Sequence, residues 1–210
     1  MFVAALVVGP SANIPNGGAS AQEVSTYYVV NHDTIQVSAV LLGLSLLALL
    51  VFVVILTEEL NQASSRNAWA AWLLLGAGAG FTATLGVGVV ALPPAITFHA
   101  AGQDPQLVQT LHDVAAGLVA LSGYFGAGLA LAVAVFAMAV PKLRVWLAPF
   151  SILVLLLQLA APVGFIDETG PFNPYDGIIT VVGAFVLLAW VLVLSLLLLS
   201  GTVVSSKEKR

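Results

Sequence analysis

The sequence predicts an all-α integral membrane protein, a bundle of five transmembrane helices, and three observations carry that prediction. Hydrophobic residues make up 60% of the 210-residue chain and charged residues 8%, against roughly 45–50% and 25% in soluble domains. Five apolar runs each exceed the roughly 18 residues that mark a membrane-spanning helix. Every Asp, Glu, Lys and Arg falls outside those runs. A soluble globule is excluded, and the residues between the runs are too few for a second, soluble domain.

Residues 1–35 read as an extracytoplasmic N-terminal segment. Met1 to Val8 is apolar, too short to span, and lacks the basic stretch of a signal peptide. Two readings stay open for it: the end of a truncated sixth helix or signal sequence, or a segment lying on the membrane surface. Residues 9–26, rich in Gly, Pro, Asn and Ser, read as a flexible linker. The transmembrane domain, 36–200, begins with span one at 36–56, a Leu/Val run behind Asn31-His32-Asp33. Span two, 69–92, opens on the interfacial residues Trp69 and Trp72 and is expected to stop at Pro93-Pro94. Span three, 114–140, starts its helix earlier, because Asp104-Pro105 is an N-cap followed by proline at the first helical position. From 105 to 140 that helix is about 54 Å long and protrudes by two turns or more. Only Pro141 to Val145 separates it from span four, 146–166, so the two form a tight antiparallel hairpin. A turn-rich loop, Asp167 to Gly177, leads to span five, 178–200, and a charged tail, 201–210.

Charge placement gives the orientation. All six basic residues fall on one side: Arg66, then Lys142 and Arg144, then Lys207, Lys209 and Arg210. The positive-inside rule makes that side, with the C-terminus, cytoplasmic. The opposite face carries Glu23, Asp33, Asp104, Asp113, Asp167, Glu168 and Asp176 with all three histidines. A net charge of −4 with no basic cluster beyond the tail argues against a nucleic-acid partner. Cysteine is absent, which excludes disulfides, thiolate metal sites and a cysteine nucleophile. No span has an ionisable residue at its centre and no lysine is available for a retinal Schiff base, so pumps and ion-coupled transporters are disfavoured. No HExxH, P-loop or GxSxG pattern occurs.

Polar residues within the spans form a candidate ligand-binding layer. Ser45, Thr84, Tyr124 and Gln158 each lie about eight to ten residues inward from the same face, a shared depth of about 12 to 15 Å. Pro162 removes the amide donor that Gln158's carbonyl would otherwise meet. The four could line a polar pocket open to the outside; as interhelical hydrogen-bond contacts they would be worth about 0.6 kcal/mol each. A neutral or cationic ligand suits the acidic outer face.

His32, His99 and His112 are candidate ligands for a divalent metal or a haem, with Asp33 or Asp113 behind them. The alternative is three interfacial histidines, with the aspartates complementing helix N-termini. Asp167, Glu168, Asn173 and Asp176 are oxygen donors suited to calcium, though their spacing matches no loop template. On span two, Gly76, Gly80, Thr84 and Gly88 recur every four residues, a small-residue stripe for close helix approach. Ser122, Gly126, Ala130 and Ala134 repeat the pattern on span three, and the two stripes are expected to face each other or to mediate a dimer.

A faint internal echo pairs His32-Asp33 with His112-Asp113 and Trp69 with Trp146, as parallel duplicated hairpins would. The start Ala21-Gln22-Glu23-Val24-Ser25-Thr26-Tyr27-Tyr28 before His32-Asp33, the Leu-rich first span and the Pro141 to Trp146 link together resemble a group of uncharacterised multi-pass bacterial membrane proteins. The resemblance implies a helical bundle in the bacterial inner membrane and no activity. The leading expectation is a non-enzymatic accessory or ligand-binding subunit, with the bilayer and other membrane subunits or further copies of itself as partners. A haem- or metal-binding redox subunit and a small-solute transporter are the alternatives.

Overall fold

Where the prolines and glycines fall decides how each apolar run becomes a helix. The structure, a computed structural model, describes residues 14–63, 68–102, 104–165, 170–172 and 177–200, with backbone only at Ala63 and Phe165. The order is α1 (Ala21–Val30), α2 (His32–Ala63), α3 (Ala68–Leu85), a π-helical turn (Gly86–Ala91), α4 (Leu92–Ala100), α5 (Pro105–Ala139), α6 (Pro141–Arg144), α7 (Leu147–Ala160), a 3₁₀ turn (Ala161–Phe165) and α8 (Ile178–Leu199). No strand occurs among the described residues. Five helical stretches are long and apolar enough to cross a membrane: His32–Gln62, Ala68–Ala100, Pro105–Ala139, Leu147–Gly164 and Ile178–Leu199.

Span two does not stop at Pro93-Pro94. A proline ring collides with the carbonyl four residues earlier and offers no amide proton, and the π turn absorbs both defects. The Leu92 amide donates to the Val87 carbonyl, five residues back, and both prolines then sit in the first turn of α4. The helix thus continues to Ala100, and Gly102, at φ 115°, turns the chain into α5. There Asp104 caps as its sequence predicts, accepting from the Gln106 amide at 3.0 Å. At 35 residues, about 52 Å, α5 outreaches the roughly 30 Å hydrocarbon core.

The linker reading of residues 9–26 is also corrected over its described part. Ser20 and Glu23 form a capping box: the Ser20 hydroxyl accepts from the Glu23 amide while the Glu23 carboxylate accepts from the Ser20 amide at 2.7 Å. This starts α1, which lies on the protruding end of α5. Val24, Tyr28, Ile35, Ile96, Ala100 and Val108 make a small separate core there.

The main core lies along α5, in which 56% of the residues of an apolar 18-residue stretch are buried, against 22% and 17% in the corresponding stretches of α2 and α8. Helix α5 is the central post, flanked chiefly by α3 and α7, and α8 hangs on α7 alone for most of its packing. Glycines set the close approaches, though not as the two stripes predict. A Cβ on Gly80 would run into the Phe125 ring, and one on Gly88 would lie 3.0 Å from the Ala115 carbonyl, so both meet α5 as expected. Gly76 is a correction, since a Cβ there meets nothing. Gly126 faces α7 instead of span two, with its Cβ position 2.6 Å from Gln158 Oε1. The stripes therefore do not face each other: Gly123 and Gly126 of α5 approach Gln158 of α7, while Gly128, outside the stripe, is the α5 glycine that meets Ala77 of α3.

Trp69, Trp72 and Trp146 are exposed at the end that also holds Lys142 and Arg144, as interfacial tryptophans require. Arg66, the acidic loop residues Asp167, Glu168, Asn173 and Asp176, the segment Met1 to Val8 and the tail lie outside the described residues.

Candidate functional site

At the histidine-bearing end, polar side chains with partners on other elements form two buttresses. His112 is 5% exposed because α1 and the chain before it cover this face of α5. Its Nε2 lies 3.1 Å from the Pro15 carbonyl, which can only accept, so Nε2 carries the proton. In the neutral ring Nδ1 is then an acceptor, and the Tyr28 hydroxyl donates to it at 2.9 Å. The two rings meet edge to face at 5.7 Å. Three residues earlier on the same face, Gln109 Nε2 donates to the Ala19 carbonyl at 3.2 Å. Together these contacts latch residues 15–28 to the top of α5. Tyr27 packs edge-on against Tyr28, and burial pushes its phenol up to about 12, which keeps it protonated.

The second buttress joins spans one and two beside the π turn. Gln36 Nε2 donates to Thr97 Oγ1 at 2.8 Å and reaches the Pro94 carbonyl at 3.3 Å. Thr97 in turn donates to that carbonyl at 2.7 Å. Nearby on the inward face of α2, the buried Ser38 hydroxyl makes no hydrogen bond.

The candidate metal ligands are not brought together. Both ring nitrogens of His112 are engaged, His99 is exposed at the end of α4, and His32 donates to Asp33 Oδ1 at 2.9 Å while packing edge-on against Phe98. Among the described residues no three His, Asp or Glu side chains could hold an ion. His32 and His112 also have different surroundings, so the internal echo does not extend to their roles.

The predicted polar layer fares unevenly. Ser45 donates to the Leu41 carbonyl at 2.8 Å, and Thr84 to Gly80 and Phe81, each within its own helix. Tyr124 is 55% exposed and faces away from the bundle, correcting the expectation that it turns inward; the small residues at 122, 123 and 126 take the inward face of α5 instead. Gln158, 7% exposed, does turn inward, and its Nε2 lies 3.4 Å from the Gly183 carbonyl of α8. No hydrogen bond joins any two of the four. The buried Trp190 indole, which donates to Ser151 Oγ at 2.9 Å, escaped the sequence reading: Ser151 lies four residues after the start of α7 at Leu147 and Trp190 inside a Leu/Val run, with no spacing to pair them.

No protein-family model, curated protein or solved structure matches the chain.

Proposed function

We propose that the protein is a non-enzymatic accessory subunit of a bacterial inner membrane, working through the lateral faces of its outer spans and its latched N-terminal segment. The observation that carries this reading is how most of the polar groups are used: His112, Gln36, Thr97, Trp190 and Gln158 are engaged with other elements of the same chain, with the buried Ser38 hydroxyl the exception among the described residues. An intramembrane polar group left for a substrate would be costly unless water or a ligand met it. Spans one and five meanwhile leave broad apolar faces, including Phe185, Leu192 and Leu196 on α8.

In this reading Lys142, Arg144 and the C-terminus face the cytoplasm and the latch faces outward, following the positive-inside rule. The test is a photo-reactive residue placed at Leu192 in the native membrane. A discrete protein adduct supports the subunit reading, with Trp190 as the buried control; adducts to lipid alone overturn it.

A further inference from the structure

Span two is broken between its two halves. The Leu92 amide is taken by the Val87 carbonyl and positions 93 and 94 are proline, so the helix offers the Gly88 and Val89 carbonyls no amide proton. A π turn followed by proline is where a helix bends. Gly86 and Gly88 lie in that turn, and a Cβ on Gly86 would meet nothing within 4 Å. The nine residues of α4 then end before Gly102, whose φ of 115° turns the chain into α5. Helix α4 is thus a short rod between two pliant joints.

Its attachments are few and local. Gln36 of α2 holds Thr97 and the Pro94 carbonyl, while Ile96 and Ala100 enter the small core with Val24, Tyr28, Ile35 and Val108. Leu85, just before the π turn, belongs to the main core instead. The joint therefore falls where one core gives way to the other.

The closed arrangement also carries a cost. Ser38 stands on α2 between Gln36, which bonds to α4, and Gly43, whose Cβ position lies 3.4 Å from Val90 of the π turn. Helix α2 packs on α3, the π turn, α4 and α1, and at the level of Ser38 its contacts with span two are made by the π turn and α4. The hydroxyl is buried there, at 7% exposure of its residue, with no hydrogen-bond partner. A buried donor left unmet forfeits its hydration with nothing in return, and water entering from the histidine-bearing end would restore it.

We propose that α4 is a hinged strap that swings on the π turn and Gly102, with the Gln36–Thr97 pair as its catch, and that its opening admits water to Ser38. The closed state keeps the catch and the apolar contacts of Ile96; the open state satisfies the hydroxyl.

Hydrogen exchange of the whole protein in detergent, read by mass spectrometry, tests this. Amides from Ala95 to Ala100 should exchange faster than those from Leu121 to Phe136 in the middle of α5. Gln36→Leu, which removes the catch, should accelerate the α4 amides by about fivefold or more and leave the α5 amides unchanged. Ser38→Ala removes the unmet hydroxyl from the closed state and should slow the α4 amides by about fivefold, the reverse of what losing a structural contact does. Ser38→Cys should react with a small thiol reagent, faster when Gln36→Leu is added, whereas Leu46→Cys in the main core should stay unreactive. Exchange in α4 as slow as in α5, acceleration by Gln36→Leu that is absent or spreads through α5, exchange unchanged or faster in Ser38→Ala, or a cysteine at 38 inert in both backgrounds would each overturn the strap.

Discussion

Gly123 shows how one missing methyl group can hold two helices together. Pro162 has no amide proton, so the Gln158 carbonyl loses the donor that an unbroken α7 would give it. It points instead at α5, where a Cβ on Gly123 would stand 2.5 Å from that oxygen. A backbone atom cannot swing aside. Gly123→Ala should therefore lower thermal stability in detergent, by the roughly 1–3 kcal/mol typical of overpacking. Gly76→Ala, with open space around it, should be neutral or stabilising by up to about 1 kcal/mol through helix propensity. Equal melting temperatures for the two variants would contradict the contact. At the other end, Tyr28→Phe leaves the buried His112 Nδ1 without this donor, a loss of about 1–3 kcal/mol. Hydrogen exchange at Val24 to Tyr28 should accelerate, while exchange in α7 should not. The sequence announced Gly76 as part of a small-residue stripe and passed over Gly123; it could not say which neighbour either would touch, because span rotation depends on all the packed faces at once.

Helix α1 was legible and overlooked. Ser20 followed three residues later by Glu23 is the capping-box signature, obscured by the Gly, Pro and Asn just upstream. Its pH behaviour follows from the cap. Hydrogen bonds from the Ser20 backbone, then its hydroxyl, hold the Glu23 carboxyl below its ordinary 4.5. A folded value below the unfolded one means the cap's contribution is complete above 4.5 and lost as pH falls through the folded value. Exchange protection in α1, corrected for intrinsic rates, should drop on that acid side, and Glu23→Gln should flatten the response. Helix α8 makes the opposite case. Its run of Leu and Val predicts a span and nothing about its partner, which Trp190 and Ser151 supply. Ser151→Ala leaves a buried indole N–H unmet and should loosen α8. A double-mutant cycle read by unfolding should return a coupling of about 0.6 kcal/mol.

Across the whole molecule, the five spans and the protruding α5 were written in run length and in Asp104-Pro105. The site was less readable: Tyr124 sits at the predicted depth on the wrong side of its helix, since depth counts residues and facing depends on neighbours. The three histidines share one end of the bundle without sharing a site, because His112 is held by backbone that the sequence showed only as a linker. Both the outward latch and the subunit reading depend on which end faces the cytoplasm. Cysteine accessibility in intact cells tests this most directly, using Ala101→Cys beside the latch and Val145→Cys beside the basic turn, both exposed. An impermeant thiol reagent should label the cysteine at 101 at once and the one at 145 only after the cells are opened. Labelling at 145 in intact cells, with 101 protected, would contradict the orientation and the account built on it.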